Sequence, residues 1–424
     1  MGAVARLTLP ATILALLSVA YTVAVATGST TYGGTVPAPS GVILHSVCGD
    51  SSRELLFAVG TAVGTNGADG VIYRIDNLTA KGYVELVRYK PGWPYLLTYS
   101  FYACEVVDSY LFATAVGGNR STFAVYEITA EKKLNRLNVT HTPPKATVAF
   151  RDADVKKVDS TYYIYALSVA GTSVVLYYTS LTGVSFGKIS SVTIGNGYGY
   201  GASIWGNYLG VLWRDTSNNL VLTVFDVSAG TPSARRDVVV VQDFTGARAA
   251  EAAYSGGFLV AANGNLFRVY SYGSAWVLDT EFTISGVFYG DAYAMLVTEE
   301  GGAVGAYILT QVNTAINISA VDVVRRSIAY VDSVVDVEQS MEGFGDAYVV
   351  WVDPSTGNVV VPGYPGSRPY MVYTTVAGAS SSLIYYDLTR GGVLPYPVPE
   401  PWFVSLAVLA STATAVALIV RRAG

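Results

Sequence analysis

The sequence is poor in the side chains that most enzymes use for proton transfer and metal binding. Only two histidines, two cysteines and four methionines occur among 424 residues, and charged residues make up 13%. The sequence has no paired histidines at metal spacing, no Gly-x-Ser-x-Gly turn and no phosphate-binding loop. These absences exclude the commonest zinc, serine-hydrolase and nucleotide sites. They favour a protein without a cofactor, and binding over catalysis.

Basic residues are also scarce. The formal net charge is -5, so no basic field is available to hold a nucleic-acid backbone. What the chain has in quantity is hydrophobic residues (51%), glycine (43) and tyrosine (32). The few labile cysteines and methionines are typical of some thermophile proteins, although the low charge is not. The composition suggests an archaeal surface protein.

The N-terminus has the pattern of an export signal. Arg6 is followed by an uncharged run that ends in Ala24-Val25-Ala26, a small-x-small sequence that signal peptidases accept. We expect a signal peptide over residues 1–26. The alternative is an uncleaved N-terminal anchor, because the run is long for a signal peptide.

The C-terminus has the pattern of a membrane anchor. Residues 402–420 carry no charge and are followed by Arg421 and Arg422. As a helix they would span roughly 28 Å, about the thickness of the hydrocarbon core. The arginines predict a cytoplasmic tail over residues 421–424, with everything before residue 402 outside the cell membrane. A buried core helix is the alternative.

A proline-rich segment, residues 391–401, precedes this anchor. Its four alternate prolines favour an extended spacer that holds a domain away from a membrane. The sequence Val398-Pro399-Glu400-Pro401, the apolar run and the terminal arginines resemble PEP-CTERM sorting tails. That resemblance, which covers about the last 27 residues, implies removal of the tail by an exosortase or archaeosortase. A plain anchor on a stalk is the alternative.

Both cysteines and four glycosylation sequons lie in the part expected outside. Cys48 and Cys104 are similarly placed before the turns of neighbouring repeats, which predicts a disulfide between equivalent strands. A pair of buried free thiols is the alternative. The sequons predict surface glycosylation at Asn77, Asn119, Asn138 and Asn317.

A short turn recurs along the chain, and an apolar strand follows it each time. The seven turns are Cys48-Gly49-Asp50, Val107-Asp108-Ser109, Val158-Asp159-Ser160, Trp205-Gly206-Asn207, Ser255-Gly256-Gly257, Tyr289-Gly290-Asp291 and Phe344-Gly345-Asp346. The steps between them are 58, 51, 48, 50, 34 and 55 residues. We interpret each turn as the link between the first and second strands of a four-stranded unit.

Seven such units over residues 27–390 predict an all-β fold, a seven-bladed β-propeller. Six or eight blades, or two β-sandwiches, are the alternatives. We expect residues 383–388 to close the ring against residues 42–47. The glycine- and tyrosine-rich stretch 195–201 has the composition of an exposed loop.

Carboxylates recur near the predicted innermost strands, where they would line a central channel. They are Glu105, Asp152, Asp154, Glu251, Asp332, Asp336, Glu338 and Glu342. Asp152, Asp154 and Asp336 are the first candidates for a cation site, because hard cations prefer oxygen ligands. Charge pairing among channel residues is the alternative interpretation.

Tyrosines and tryptophans offer an aromatic face for sugars or partner proteins. The candidates are Tyr198, Tyr200, Trp205, Tyr208, Trp213, Tyr289 and Tyr293. The alternative is that most of these rings fill the space between blades, with those of the stretch 195–201 as the exception. The sequence thus predicts a membrane-anchored module that binds a protein or glycan partner or has an envelope-structural role. The alternatives are a glycan hydrolase or lyase that uses channel carboxylates, and a receptor-like subunit of a membrane complex.

Overall fold

A computed structural model describes the chain in fourteen ranges. They are residues 33–64, 67–79, 81–89, 99–117, 120–142, 149–170, 172–262, 266–272, 278–285, 291–300, 303–312, 315–336, 347–377 and 380–389. The predicted signal peptide, stalk, membrane helix and tail lie outside these ranges. Within them, no helix is long and apolar enough to cross a membrane.

The described residues form β-strands joined by short turns, which confirms the predicted all-β class. The first strands are β1 (Gly33–Pro37), β2 (Val42–Asp50), then a 3₁₀ turn (Ser51–Arg53), β3 (Leu55–Gly64), β4 (Gly67–Ile75), β5 (Tyr83–Tyr89), β6 (Tyr99–Val107), β7 (Tyr110–Gly117), β8 (Arg120–Ile128) and β9 (Leu134–His141). The middle strands are β10 (Ala149–Val158), β11 (Thr161–Ala170), β12 (Ser173–Thr182), β13 (Ser185–Phe186), β14 (Ser190–Trp205), β15 (Tyr208–Asp215), β16 (Leu220–Asp226) and β17 (Ser233–Val241). The last strands are β18 (Ala250–Tyr254), β19 (Gly257–Ala262), β20 (Leu266–Tyr272), β21 (Leu278–Ser285), β22 (Asp291–Glu300), β23 (Ala303–Val312), β24 (Ala315–Asp322), β25 (Ser327–Asp336), β26 (Tyr348–Val352), β27 (Val359–Val360), β28 (Arg368–Ala377) and β29 (Ser380–Asp387).

Antiparallel pairing groups these strands into successive four-stranded units. Unit 1 is β2–β5, unit 2 is β6–β9, unit 5 is β18–β21 and unit 6 is β22–β25. Unit 3 is β10, β11, β12 and the start of β14, and unit 4 is the rest of β14 with β15–β17. Unit 7 contains β26, β28, β29 and the N-terminal strand β1. The first strand of each unit is called its inner strand below. Inner strands of units 1 to 6 pack in succession, β2 on β6, β6 on β10, and so on to β22.

The core lies between the units. Each unit shares a cluster of buried apolar residues with the next. For example, Val42 of unit 1 packs with Leu383 of unit 7, and Leu212 of unit 4 packs with Phe258 of unit 5. Comparable clusters join units 1 and 2, 2 and 3, 3 and 4, 5 and 6, and 6 and 7. Every sheet is therefore covered by neighbours on both faces, which explains why so many strands are apolar without alternation.

The N-terminal strand completes the last unit. β1 pairs with β29, with Gly33 opposite Tyr386 and Pro37 opposite Ser382. Leu383 of β29 does pack against Val42 of β2, so this part of the chain closes the ring against unit 1 as expected. The contact is made by side chains, because β29 is hydrogen-bonded to β1 and β28. Val42 is the first residue of β2, and β2 is hydrogen-bonded to β3. The fourth strand of unit 7 is β1, which comes from the N-terminal part of the chain.

The repeated turns have two different structural roles. The first five join the inner strand to the second strand, as predicted, at Asp50, Asp108, Asp159, Gly206 and Gly256. The last two precede β22 and β26, which are inner strands themselves, so the single phase inferred from the sequence is wrong. The inner hairpin of unit 6 joins Glu300 to Ala303. The short fifth step therefore reflects a change of turn and not a shortened unit.

The stretch 195–201 is not an exposed loop. It lies inside β14, whose first half pairs with β12 and whose second half pairs with β15. One continuous strand thus passes from unit 3 to unit 4. Gly197, at the crossing, has a φ of +155° and lies so close to the carbonyl of Arg214 that a side chain has no room there.

A disulfide joins the inner strands of units 1 and 2. Cys48 and Cys104 have Cα atoms 5.8 Å apart, and 56 residues separate them in sequence. This confirms the predicted bridge. It also fixes two neighbouring inner strands side by side.

Candidate functional site on the inner strands

Four carboxyl groups from three units lie close together on the inner strands. Glu105 comes from β6, Asp152 and Asp154 from β10, and Glu251 from β18, and each of the other three interacts electrostatically with Asp152. Asp152 and Glu251 are 3% and 5% exposed, while Glu105 and Asp154 are half-buried. These four residues are called the acidic cluster. The structure therefore brings together four of the eight predicted carboxylates.

Hydrogen bonds to unit 4 hold two of these carboxyls in place. Asp152 Oδ2 accepts from the backbone N–H of Ala202 at 2.8 Å, and Ser203 Oγ donates to Glu251 Oε2 at 3.0 Å. Asp152 and Glu251 thereby connect β10 and β18 to the strand between them, β14. Asp154 accepts from the N–H of Val155 at 2.7 Å.

Burial and mutual repulsion shift the pKa of every member upward. Burial raises the pKa of Asp152 to about 6. Burial, together with the charge of Asp152, raises the pKa of Asp154 to about 7. The pKa values of Glu105 and Glu251 rise well above their usual range through burial first and the two aspartates second. At neutral pH the cluster therefore holds protons that exposed carboxylates would have lost.

The predicted cation site stays a prediction. Among the described residues, no three His, Cys, Asp or Glu side chains are placed to hold one metal ion. Asp152 and Asp154 lie on β10 as expected, and Asp336 is the last residue of β25, opposite Ala315. The side chains of Asp332 and Asp336, and residues 338 and 342, lie outside the described part of the chain.

A one-residue β-bulge recurs on the inner strands. The pairing register skips one residue in β2, β6, β10, β14 and β22, and the skipped residues are His45, Tyr102, Arg151, Tyr200 and Tyr293. Each lies five to seven residues before the end of its inner strand, on the order of 16–23 Å from the hairpin. Bulges re-aim side chains and are common beside binding sites.

Two bulged residues of neighbouring units stack on each other, and a third contacts an arginine that precedes the neighbouring inner strand. His45 of unit 1 stacks on Tyr102 of unit 2, with ring centroids 4.7 Å apart. The guanidinium of Arg248, two residues before β18, lies 4.6 Å from the ring centroid of Tyr293 in unit 6. All four side chains are half-buried. We call His45, Tyr102, Arg248 and Tyr293 the aromatic rim; it is aromatic and basic, and it lies away from the inner hairpins.

The hairpins at the other end are linked to each other. Arg53 donates to the carbonyl of Asp108, and Lys157 of the next unit donates to the Asp108 carboxylate at 2.6 Å. Lys156 donates to the carbonyl of Gly206 at 2.6 Å, and Trp205 Nε1 donates to the carbonyl of Ser255 at 3.2 Å. These donors and acceptors are used within the protein. The hairpin end is therefore structural in character, which leaves the rim as the better binding surface.

The predicted aromatic face is divided among several places. Trp213 is 6% exposed in the core between units 3 and 4, where it donates to Thr223. Trp205 and Tyr208 contact each other at the hairpin end, and Tyr198 contacts Tyr200, which packs against Phe244. Tyr289 lies outside the described residues, so only Tyr293 of the predicted set belongs to the rim.

Sequence reasoning missed His45, Tyr102 and Arg248 as rim residues. A bulge is a property of the pairing between two strands, so it is invisible in one strand read alone. The only signal in the sequence was a large aromatic or basic residue five to seven positions before several turns.

The sequons remain untested predictions. Asn77 donates its side-chain N–H groups to the carbonyl of Thr356 and to Asn358 Oδ1, and Asn138 donates to the carbonyl of Val184. Asn317 is half-buried in β24. Asn119 lies outside the described residues. Modification of Asn77 or Asn138 would replace the hydrogen bonds that these amides now make.

Comparison with known proteins supports the fold and nothing finer. No family model matches the sequence, and no curated protein does. Two crystal structures of Sqt1 from Chaetomium thermophilum are similar in fold. The first has a TM-score of 0.52 and 11% sequence identity, and the alignment covers 85% of this chain and 86% of the Sqt1 chain. The second has a TM-score of 0.51 and 12% sequence identity, and the alignment covers 86% of this chain and 87% of the Sqt1 chain. The fold of this chain is accordingly all-β and β-propeller-like.

Proposed function

We propose that this protein is a seven-bladed propeller, displayed outside a membrane on a proline-rich stalk, that binds a protein or glycan partner through its aromatic rim. The observation that carries the binding role is the recurrent bulge, which places His45, Tyr102 and Tyr293 at matched positions of three inner strands. Tyrosine and arginine dominate recognition surfaces because they combine apolar area with hydrogen-bonding groups. The blade count rests on the seven units and the apolar clusters between them.

Catalysis by the channel carboxylates is the second candidate. One observation favours it: an atom added at the Cβ position of Gly201 would lie 3.5 Å from both Asp152 Oδ2 and Glu251 Oε1. The two oxygens are therefore at most twice that distance apart, an upper limit that is compatible with the separation in retaining glycosidases. Their burial and their bonds to Ala202 and Ser203 argue against it, since a substrate must reach both groups. We therefore place binding first.

Binding through the rim is tested with the purified full-length chain on a glycan array and against solubilised surface proteins of its own cell. Tyr102→Ala and Arg248→Met should weaken the captured interaction at least about tenfold if these side chains anchor the partner. Tyr364→Ala is the matched control, because Tyr364 is 45% exposed and lies in the connection between β27 and β28, outside the inner strands that carry the rim. Equal binding by both rim variants and the wild type, at unchanged melting temperature, would place the site elsewhere.

The membrane location needs a separate measurement. We expect mass spectrometry of the native protein to find a mature N-terminus after Ala26, and protease shaving of intact cells to release peptides of residues 33–389. Peptides of residues 402–424 in most mature molecules would support a plain anchor. Their absence would favour the sorting tail.

A further inference from the structure

The acidic cluster takes its carboxyls from units 2, 3 and 5 and is hydrogen-bonded to the inner strand of unit 4. We propose that it is a proton-dependent lock, which holds the inner strands of units 2 to 5 together in acid and loosens them as the pH rises. The proposal rests on the geometry of the cluster and does not depend on the proposed binding function.

The geometry sets two carboxyls face to face across a glycine. Asp152 Oδ2 and Glu251 Oε1 both approach the bare Cα of Gly201, at 3.5 Å from the point where a Cβ would lie. Asp152 comes from unit 3, Gly201 from unit 4 and Glu251 from unit 5. With a proton on Glu251, the two groups carry one charge between them. With both ionised, two buried charges repel each other across the unit boundaries.

No described basic side chain offsets these charges. Lys156 and Lys157 on β10 are bound at the hairpins, to Gly206 and Asp108, and Arg248 lies over the Tyr293 ring. The half of β14 that faces the cluster, residues 197–205, contains no charged residue. The other titratable groups on the elements around the cluster include His45 and Asp50 on β2, Tyr99 and Tyr102 on β6, Tyr162, Tyr163 and Tyr165 on β11, Tyr198 and Tyr200 on β14, Tyr254 on β18, Tyr293 and Glu299 on β22, and Tyr348 on β26. Of these, Asp50 is paired with Arg53 and Glu299 accepts from Ser255. The side chain of Arg151 on β10 lies outside the described part of the chain.

The sign of the effect follows from the raised pKa values. An unfolded aspartate has a pKa near 3.8, whereas the folded values are about 6 for Asp152 and about 7 for Asp154. Between these limits the folded protein binds more protons than the unfolded chain, so stability falls as the pH rises. The stabilisation is complete below pH 3.8 and is lost as the pH passes through 6 and 7.

The test is denaturant unfolding of the full-length protein from pH 5 to pH 8. We expect the unfolding equilibrium constant of the wild type to rise at least about tenfold over this range. Asp154→Asn and Glu251→Gln should each reduce that rise by about threefold or more, because each removes an ionisable group. Glu127→Gln, on an exposed position of β8, is the matched control and should keep the wild-type dependence.

A second measurement covers variants that fail to fold. The infrared C=O band of protonated carboxylic acids should be present in the wild type at pH 6 and should weaken as the pH rises to 9, because Asp152 and Asp154 lose their protons in this range. Wild-type stability that is flat or rising between pH 5 and pH 8 would overturn the lock. So would a carboxylic-acid band that is absent at pH 6, or two cluster variants whose pH dependence equals that of Glu127→Gln.

Discussion

The carboxylate of Asp152 accepts a hydrogen bond from the backbone N–H of Ala202 at 2.8 Å, across the boundary between units 3 and 4. Its other oxygen accepts from the N–H of Ala153, also at 2.8 Å. Because Asp152 is 3% exposed, water has little access to replace its carboxylate as the acceptor of these hydrogen bonds. One aspartate thus satisfies two backbone donors and ties neighbouring inner strands together.

Replacement of Asp152 by alanine should lower the free energy of unfolding by about 1–3 kcal/mol, since the buried N–H of Ala202 is left without its acceptor. Denaturant unfolding at pH 5 measures the loss. Asp152→Asn keeps an acceptor oxygen of nearly the same shape, so it should lose less. If the two variants lose the same amount, the bond to Ala202 contributes nothing measurable.

Opening the disulfide should destabilise the fold at its first unit boundary. Cys48→Ser with Cys104→Ser, or reduction of the wild type, should lower stability by about 2–5 kcal/mol, because the bridge closes a long loop in the unfolded chain. Thermal melts with and without reductant measure this. The double variant is its own control, since reductant should not change its melting temperature. A wild type that melts at one temperature in both conditions would contradict the prediction.

The hairpin end should respond to pH with the opposite sign to the acidic cluster. Hydrogen bonds from Lys157 and Tyr162 lower the pKa of Asp108. A lowered pKa stabilises the fold above the unfolded value of 3.8, and that contribution is lost as the pH falls below it. Asp108→Asn should therefore reduce the unfolding free energy at pH 6 and change little at pH 2.5. The effect is expected below about 1 kcal/mol, because Asp108 and Lys157 are largely exposed.

Stability of the wild type should consequently be greatest in mild acid. The two opposing pH effects leave a maximum between about pH 4 and pH 6. Differential scanning calorimetry across pH 2.5–9 measures it. A maximum above pH 7 would contradict the proton-dependent lock, because the contribution of Asp108, whose pKa is lowered, is already complete well below that pH.

The sequence was sufficient for the features that depend on local turn chemistry. Recurring turns with Gly and Asp revealed the repeated units. The similar placement of Cys48 and Cys104 before two of these turns predicted their disulfide, which the structure confirms. Asp152 and Asp154, two residues apart on β10, both reach unit 4, where Asp152 accepts from the N–H of Ala202 and Asp154 from the N–H of Ile204.

What the sequence failed to predict depends on partners distant in the chain. A Gly-Asp turn looks alike whether it follows an inner strand or leads into one, so the phase of units 6 and 7 was misread. Glycines in residues 195–201 suggested a loop, whereas Gly195 and Gly199 provide room for the side chains of Trp213 and Leu167. The rim was missed because the bulges at His45 and Tyr102 exist only in the register with β3 and β7.

Gly60 shows how the rim is built and gives the last prediction. It lies in β3 opposite Leu44, where the bulge of β2 brings the backbone close, and a Cβ at Gly60 would lie 2.9 Å from Leu44 Cα. Gly60→Ala should therefore push the bulge outward and destabilise the fold by about 1–3 kcal/mol. It should also disturb the stacking of His45 on Tyr102, which is visible as a change in near-ultraviolet circular dichroism. Gly183→Ala is the control: its φ is +60° with no atom within 4 Å of the added Cβ, so it should cost about 1 kcal/mol and leave the aromatic signal unchanged. If the two variants lose the same unfolding free energy, β3 can shift to accommodate the added Cβ, and the bulge does not depend on a glycine opposite it.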